Sequence, residues 1–428
     1  MNHPTVPIHL DYGKTKLKLS VLQKNLVKIL HIQESGKLPD RDAVLMKKLK
    51  HPTGTKSFYD LCAAHKNQTA VIVVSDKTRD VPNHWLLPPL LKTLDSFGLT
   101  TTILVATGMH GPTKGKDLVE MLGKPVVDRY RVVNHNANDA ASLVTLGKTP
   151  EGLDIRINRT YHEAGLKILT GLIEPHLMLG FSGGRKAICP GIASSDMVKY
   201  FHGYKFIASK YSTSAVLKNN PCHAFSLKVA KLAGADFLVN VTLNAQKEVT
   251  GIFCGDLEKA HLEGAQACAD HSVSYLSKPV DIVLTCGGGY PLDRNLYQGI
   301  KGMVAAYEIV KPGGTIICAA ECRDGIGSEA FQKVLDQVKT LDGFIETLKK
   351  RKKALPDQWQ AQEFVKVLKK ARVKLYTEHL TAKQIAQSHM EAIPSVSRGL
   401  SQALAEYGPQ ATIAVMPSGP YVIARLKK

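Results

Sequence analysis

The sequence GLIEPHLMLGFSGGRKAICPGIASSDMVKYFHGYKF occupies residues 171–206. An apolar run over residues 166–173 predicts a buried strand, and His176 comes just after its end. A glycine-rich turn then leads to Lys186, and His202 follows within an aromatic cluster. Loops joined to a rigid strand are common positions for binding and catalytic groups. The stretch therefore indicates a site, although the same residues also suit an ordinary turn with a solvated lysine.

Two other predicted strands also end in ionisable residues. Residues 70–75, AVIVVS, form a β-branched run typical of a strand buried on both faces, and Asp76 and Arg79 follow it. A predicted helix leads to the next strand, residues 102–106, which ends near His110. Strand, helix, strand is the rhythm of a parallel α/β sheet, and ligands bind such sheets at the carboxyl ends of the strands. We therefore expect these side chains at a ligand-binding edge.

The length of the chain, 428 residues, is large for a single core and favours two domains. We assign residues 1–275 to an N-terminal domain that carries the strand-end residues, and residues 276–428 to a C-terminal domain. The fold class predicted is α/β, with mainly parallel sheets.

The outer parts of the chain give further element predictions. Residues 6–34 alternate in polarity around a turn and favour a β-hairpin or edge strands. Residues 281–286 predict the first strand of the C-terminal domain, and the chain from about residue 321 to 405 is expected to be mostly helical. A last strand near residues 411–415 belongs to this domain or returns to the N-terminal one.

Composition describes an ordinary globular protein, with 44% hydrophobic and 22% charged residues. The sequence has no apolar run long enough to cross a bilayer, and its N-terminus lacks the apolar core of a signal peptide. We therefore expect a cytoplasmic protein without a membrane partner. The eight cysteines are scattered and form no CxxC pair, so neither a zinc ribbon nor a disulfide framework is expected.

The formal net charge of +19 suits solvated helix faces, a small anionic substrate or nucleic acid. Its visible clusters, at residues 349–353 and 369–370, lie in helical patterns without interleaved aromatic residues. No nucleic-acid-binding signature accompanies them. Solvated faces are the first interpretation and an anionic substrate the second, and we expect no nucleic-acid partner.

Common catalytic motifs are missing from the sequence. The glycines at 287–289 lack the GxGxxG pattern, so an ordinary NAD dehydrogenase has weak support. The spacing of His110, His176 and His202 matches no compact zinc motif such as HExxH. No Walker sequence occurs, and we expect no serine nucleophile elbow, although residues 180–184, GFSGG, have the GxSxG spacing.

Six segments together carry a family resemblance: DKTR (76–79), ATGMH (106–110), EPH (174–176), SGGRKAICPGI (182–192), FH (201–202) and GGYPLDRNLYQGIKGM (288–303). In this order and at these separations they resemble the nickel-pincer lactate racemase family. The resemblance covers nearly the whole chain. It implies two α/β domains with an active-site cleft between them.

The resemblance also implies a cofactor and roles for four residues. The cofactor is a nickel-pincer nucleotide, a pyridinium mononucleotide with two sulfur substituents, made by separate biosynthesis enzymes that would be maturation partners. It is attached through a thioamide to the lysine that matches Lys186, and its nickel takes a protein ligand that matches His202. The residues that match His110 and His176 are the acid/base catalysts.

Further candidates bind the substrate or the cofactor. The substrate carboxylate needs a cation or polar partner, and the candidates are Arg79, Tyr297, Gln298 and Lys301. Asp76 either orients a histidine or, like Arg79, contacts the cofactor. Trp359 either resembles the aromatic residue that stacks on the cofactor ring or is an ordinary core or surface anchor.

The chemistry suits these residue types. The Cα–H of a 2-hydroxy acid is too weakly acidic for imidazole, so the hydrogen is expected to leave as hydride while a histidine takes the hydroxyl proton. The two enantiomers present their hydroxyls in different directions and so need two bases. Nickel with sulfur and imidazole donors favours a square-planar site. The glycines before Lys186 are expected to leave room for the cofactor, and the amides of Gly183 and Gly184 to face an anionic group.

Two departures from the family pattern leave the substrate open. Gly111 stands where many relatives have an arginine, and Asp80 where proline is common. Lactate is the default substrate, and the alternatives are malate, 2-hydroxyglutarate, aromatic or sugar 2-hydroxy acids. An NAD-dependent 2-hydroxy-acid oxidoreductase is the alternative of another class.

Overall fold

A computed structural model of the chain describes residues 4–31, 33, 35–244, 246–351 and 354–427. Lys352 and Lys353 of the basic cluster, and residues 32 and 34 of the predicted hairpin segment, lie outside the described residues.

Within the described ranges the strands are β1 (Thr5–Tyr12), β2 (Thr15–Leu22), β3 (Leu26–Ile29), β4 (Thr69–Ser75), β5 (Thr100–Ala106), β6 (Arg131–Asn134), β7 (Leu143–Lys148), β8 (Asp154–Asn158), β9 (Leu166–Leu172), β10 (Pro175–His176), β11 (Gly180–Phe181), β12 (Phe237–Leu243), β13 (Val249–Gly255), β14 (Val273–Leu276), β15 (Val280–Cys286), β16 (Val310–Ala319), β17 (Arg372–Tyr376), β18 (Glu391–Ala392), β19 (Ile413–Val415) and β20 (Ile423–Leu426).

The α-helices are α1 (Arg41–Lys50), α2 (Phe58–Ala64), α3 (Asn83–Ser96), α4 (Gly115–Leu122), α5 (Lys124–Arg129), α6 (Arg159–His162), α7 (Ser195–Phe201), α8 (Tyr204–Ile207), α9 (Pro221–Ala233), α10 (Lys259–Ser272), α11 (Leu296–Ala306), α12 (Glu329–Leu335), α13 (Leu341–Lys350), α14 (Gln358–Lys370), α15 (Ala382–Gln387) and α16 (Val396–Tyr407). None of these helices combines the length and apolarity that a membrane span needs.

The chain divides into two compact units. The histidine unit comprises Glu34–His202 and Ala208–His271, and the terminal unit comprises Met1–Gln33, Gly203–Ile207 and Ser272–Lys428. Each unit is built on a six-stranded sheet. The predicted α/β class with mainly parallel sheets is confirmed.

The sheet of the histidine unit has the strand order β13-β12-β9-β4-β5-β6, and its neighbours are parallel except for β12 and β13. Strand β4 explains this layering. Ile72 and Val74 belong to one hydrophobic cluster and Val71 and Val73 to another, and all four are fully buried. Because successive side chains point to opposite faces, the continuous apolar run indicates burial on both faces. The carboxyl end of this strand carries Asp76.

The sheet of the terminal unit has the order β18-β17-β16-β15-β19-β3, and all its neighbours are parallel. The predicted hairpin is formed by β1 and β2, which pair antiparallel. Its buried side chains Ile8, Leu10 and Val21 share a hydrophobic cluster with Leu284 and Ile317.

This packing differs from the sequence-based division at residue 275. The hairpin and β3 lie with the C-terminal part of the chain, because β3 pairs with β19 and the hairpin covers the apolar face of the same sheet. Strand β19, the predicted last strand, lies between β15 and β3 in that sheet.

Candidate active site

A hydrogen-bonded carboxylate–imidazole pair joins the ends of β4 and β5. Asp76 is only 6% exposed, and its Oδ2 lies 2.6 Å from Nδ1 of His110. The other oxygen, Oδ1, accepts hydrogen bonds from the backbone N–H and the hydroxyl of Thr78. Burial alone would raise the pKa of Asp76, but the bonds from His110 and Thr78 lower it below its ordinary value. Of the two roles considered for Asp76, the geometry supports orientation of a histidine.

Arg79 and His176 lie at neighbouring strand ends in the same unit. The Nε atom of Arg79 is 3.5 Å from Oε1 of Glu174, and the arginine side chain is one-third exposed. His176 lies in β10, and the amides of Met178 and Leu179 each approach its Nδ1 to 3.3 Å. Burial, followed by the charges of Lys186 and Arg79, lowers the pKa of His176 well below its ordinary value. The His176 ring is therefore neutral at pH 7.

Lys186 lies in a short 3-10 turn, Gly184–Ala187. Burial, followed by the charge of Arg79, lowers the pKa of its ammonium from 10.5 to about 7. An amine with that pKa is substantially neutral near pH 7, which is the form that bonds to an electrophilic carbon. Lys186 therefore has the chemical state that the predicted covalent attachment requires.

The glycines before Lys186 serve a different purpose from the one expected. A Cβ on Gly183 would lie 2.6 Å from Oδ1 of Asn240, and a Cβ on Gly184 would lie 2.8 Å from the ring of His261. Both glycines also have positive φ angles. The N–H of Gly184 donates to Asn240 Oδ1 at 2.8 Å, so this amide does not face an anion. The glycines allow the turn to pack against Asn240 and His261, which corrects the expectation of open space for a ligand.

Arg185 is a residue to which we assigned no role from the sequence. Its side chain is 1% exposed and has no carboxylate partner among the described residues. Its guanidinium donates to four backbone carbonyls of the preceding loop, those of Leu179, Phe181, Ser182 and Gly183. It also lies 2.7 Å from Nε2 of His261. Arg185 therefore holds the loop that joins His176 to Lys186.

His202 directly follows α7, whose first turn is capped by the side chain of Ser194. The Nδ1 atom of His202 lies 2.7 Å from the carbonyl oxygen of Val198. A carbonyl can only accept, so Nδ1 carries the hydrogen and Nε2 carries the lone pair. Burial lowers the pKa of His202 to about 4, so the imidazole is neutral and suited to bind a metal.

The residues predicted for the histidine unit form one electrostatic cluster. The charge of Lys186 lowers the pKa of both His176 and His202, and Asp76 and Arg79 act on the pKa of Lys186. His110 joins the cluster through Asp76.

The other predicted binding residues, on α11 and α14, belong to the terminal unit. The indole Nε1–H of Trp359 donates to the hydroxyl of Tyr297 at 3.2 Å, so the structure brings these two together. Gln298 and Lys301 lie on the same helix as Tyr297, and Gln298 Oε1 is buried without a hydrogen-bond partner in the described residues. Such an oxygen is available to a ligand that donates a hydrogen bond.

Among the residues that the structure describes, no three His, Cys, Asp or Glu side chains are grouped so as to hold a metal ion.

Comparison with known proteins decides the family. Residues 12–215 match the lactate racemase N-terminal domain, and residues 276–424 match the lactate racemase C-terminal domain. The chain belongs to the lactate racemase family. The prediction of an isomerase of the racemase type is confirmed by this membership.

Relatives of this lactate racemase family member match over nearly their full length. Lactate racemase from Lactiplantibacillus plantarum is 37% identical, over 98% of this chain and 100% of the relative. Lactate racemase from Thermoanaerobacterium thermosaccharolyticum is 34% identical, over 98% of this chain and 99% of the relative.

Two solved structures are similar to this family member. The lactate racemase apoprotein from Thermoanaerobacterium thermosaccharolyticum has a TM-score of 0.91 at 34% identity, covering 98% of this chain and 100% of that one. A Thermotoga maritima protein has a TM-score of 0.62 at 17% identity, covering 86% of this chain and 97% of that one. The similarity to the Thermotoga maritima protein shows a shared fold and nothing more.

Proposed function

We propose that this protein racemises a 2-hydroxy acid, with lactate as the first candidate, by reversible hydride transfer to a nickel-pincer nucleotide attached to Lys186. The observation that carries the proposal is the amine of Lys186, whose pKa is about 7, in one electrostatic cluster with His176 and His202. Family membership supports the same reaction, because both relatives compared above are lactate racemases.

The residues present fit the proposed cofactor. Lys186 supplies a neutral amine for the covalent link, and His202 supplies an Nε2 lone pair as the single protein ligand to nickel. When bound, the cofactor supplies an electron-poor ring carbon that accepts and returns a hydride. Its synthesis requires separate enzymes, which we propose as the maturation partners.

The chain's own residues bind the substrate and move its proton. Arg79, which follows β4, is paired with Glu174, and it binds the substrate carboxylate. His110 and His176 exchange the proton of the substrate hydroxyl, each for one enantiomer. Tyr297, Gln298 and Lys301 remain predicted substrate contacts and Trp359 a predicted cofactor contact. Malate, 2-hydroxyglutarate, aromatic and sugar 2-hydroxy acids are the alternative substrates.

The first test detects the covalent link. The protein is produced together with the cofactor-making enzymes, and intact-mass and peptide analysis should place the added mass on Lys186. Lys186→Ala should lose both the adduct and the racemisation of L-lactate. Lys210→Ala, a change at an exposed lysine of the same unit, should keep both. Active enzyme with an unmodified Lys186 would contradict the link.

The second test follows the hydrogen. L-lactate carrying deuterium at C2 should give D-lactate that retains the deuterium, because the hydrogen travels as hydride. Free exchange of the label with water would indicate a carbanion route instead. Release of keto acid that depends on added NAD would support the oxidoreductase alternative. A panel of chiral 2-hydroxy acids then identifies the preferred substrate by its loss of optical purity.

A further inference from the structure

The two catalytic histidines meet different partners at Nδ1. At His110 the partner is the Asp76 carboxylate, at 2.6 Å. A carboxylate only accepts hydrogen bonds, so Nδ1 of His110 carries the hydrogen. The neutral ring therefore presents an unprotonated Nε2, which can take a proton.

At His176 the hydrogen bonds run in the opposite direction. The backbone amides of Met178 and Leu179 both point at its Nδ1, each at 3.3 Å. A backbone N–H only donates, so this Nδ1 carries the lone pair. The neutral ring must hold its hydrogen on Nε2, where it can donate a hydrogen bond.

We infer that Asp76 and the turn over residues 177–179 impose opposite tautomers on His110 and His176, so that the resting enzyme presents one proton acceptor and one hydrogen-bond donor. This inference rests on the proposed function, in which both rings face the substrate oxygen. Asp76 and the two amides are positioning groups, because they act through the imidazoles.

The tautomers match the two oxidation states of the substrate. The hydroxyl of a 2-hydroxy acid needs an acceptor, and its proton moves to Nε2 of His110 as the O–H bond breaks and an N–H bond forms. The imidazolium that results is stabilised by the Asp76 carboxylate. The carbonyl oxygen of the 2-keto acid only accepts, and it meets the Nε2–H of His176.

Because their tautomers differ, His110 and His176 are not equally ready to accept a proton at Nε2. His176 takes a proton at Nε2 only after its hydrogen has moved to Nδ1, and that tautomer would oppose the amides of Met178 and Leu179. A proton-accepting His176 therefore requires that the 177–179 turn or the ring change position. His110 needs no such change.

The test reads the tautomers directly, by 15N NMR of the full-length apoprotein with ring-labelled histidine at a pH where both rings are neutral. The signals are assigned by their loss in His110→Gln and His176→Gln. We expect the Nδ1–H form at His110 and the Nε2–H form at His176. The same tautomer at both rings would overturn the inference.

A variant series then tests the positioning role of Asp76. Asp76→Ala should remove the preference for the Nδ1–H tautomer at His110 and leave the tautomer of His176 unchanged. Thr78→Val, a milder change, should weaken the preference at His110. Asp128→Ala, at an exposed aspartate of the same unit, should alter neither ring. An unchanged His110 spectrum in a folded Asp76→Ala protein would refute the role.

Racemisation by the loaded enzyme separates this inference from the proposed function. Opposite tautomers in a protein that does not racemise any 2-hydroxy acid would leave the inference intact and remove the proposed function. Racemisation by an enzyme whose His110 and His176 have the same tautomer would remove the inference and leave the proposed function intact.

Discussion

Arg185 shows how a single buried cation organises the loop between two functional residues. Its guanidinium donates mainly to backbone carbonyls, and no carboxylate among the residues that the structure describes pairs with its charge. Burial lowers its pKa to about 9. This charge is one of those that lower the pKa of His176 and of Lys186. The same residue therefore shapes the loop and adds, after burial and the charges of other groups, to the effects that favour the neutral forms of His176 and Lys186.

We predict that Arg185→Met lowers the free energy of unfolding by about 2–4 kcal/mol, because buried carbonyls lose their donors. Chemical denaturation measures the change. Arg129→Met is the control, since the Arg129 side chain is 69% exposed and should cost no more than about 0.5 kcal/mol. Equal stability of the Arg185 and Arg129 variants would contradict the assigned role.

Lys186 should be unusually reactive before the cofactor is attached. With a pKa of about 7, half of its amine is neutral at pH 7, against roughly one part in 2,500 for an ordinary lysine of pKa near 10.4. Lowering the pH from 7 to 5 protonates this amine, so labelling of Lys186 should fall over that interval. Competitive labelling of the apoprotein with a small amine reagent, followed by peptide mapping, measures the rate. Labelling that rises only above pH 10 would show an ordinary lysine.

At the scale of elements, the turn over residues 184–191 depends on a close backbone approach. A Cβ on Gly191 would lie 2.3 Å from the carbonyl oxygen of Ala187, and the Gly191 carbonyl accepts from the N–H of Gly108 in the loop that carries His110. The backbone atoms cannot move aside without shifting both loops.

Gly191→Ala should therefore lower stability by about 1–3 kcal/mol and reduce the turnover of the loaded enzyme, because the Lys186 turn and the His110 loop are displaced. Gly36→Ala is the matched control, since a Cβ there has no neighbour within 4 Å. Thermal unfolding and racemisation are measured for both variants. A Gly191→Ala enzyme with wild-type stability and turnover would show that the turn tolerates a side chain.

Sequence patterns identify elements whose burial is uniform and miss those whose burial depends on distant partners. Strand β4 was predicted because its apolar run is continuous. Strand β17, RVKLY, falls in a region predicted to be mostly helical, because Arg372 and Lys374 interrupt the apolar pattern. The Lys374 side chain is 2% exposed, and Glu391 pairs with it at 2.9 Å. A lysine in a strand core is predictable only when its partner, seventeen positions along the chain, is known.

The residues of the candidate site likewise divide into those that the sequence indicated and those that only the structure reveals. Motif spacing and family resemblance indicated His110, His176, Lys186 and His202, and the structure gathers them in one unit. Arg185 was not indicated, because its contacts with loop carbonyls and His261 depend on the folded path of the chain. The interpretation of the glycines also required the positions of their neighbours in space.

For the whole molecule, we predict that removal of residues 1–31 destabilises the terminal unit. The deletion takes β3 from the edge of the sheet, leaving β19 unpaired on that side, and uncovers the face on which the hairpin packs. Hydrogen exchange should rise in β15 and β19, while the exchange of β4 and β9 in the histidine unit stays near that of the full chain. Unchanged protection of β19 would show that the N-terminal segment is dispensable.

The terminal unit is assembled from segments that lie far apart in the sequence, so it cannot be completed during synthesis until β19 has emerged from the ribosome. Strand β3 is made early, yet its partner strand β19 follows almost four hundred positions later. The intervening histidine unit can fold beforehand. Until β19 is made, β3 lacks its partner strand and the apolar face of the hairpin lacks the complete sheet on which it packs. Truncated chains that end before β19 should therefore depend on chaperones.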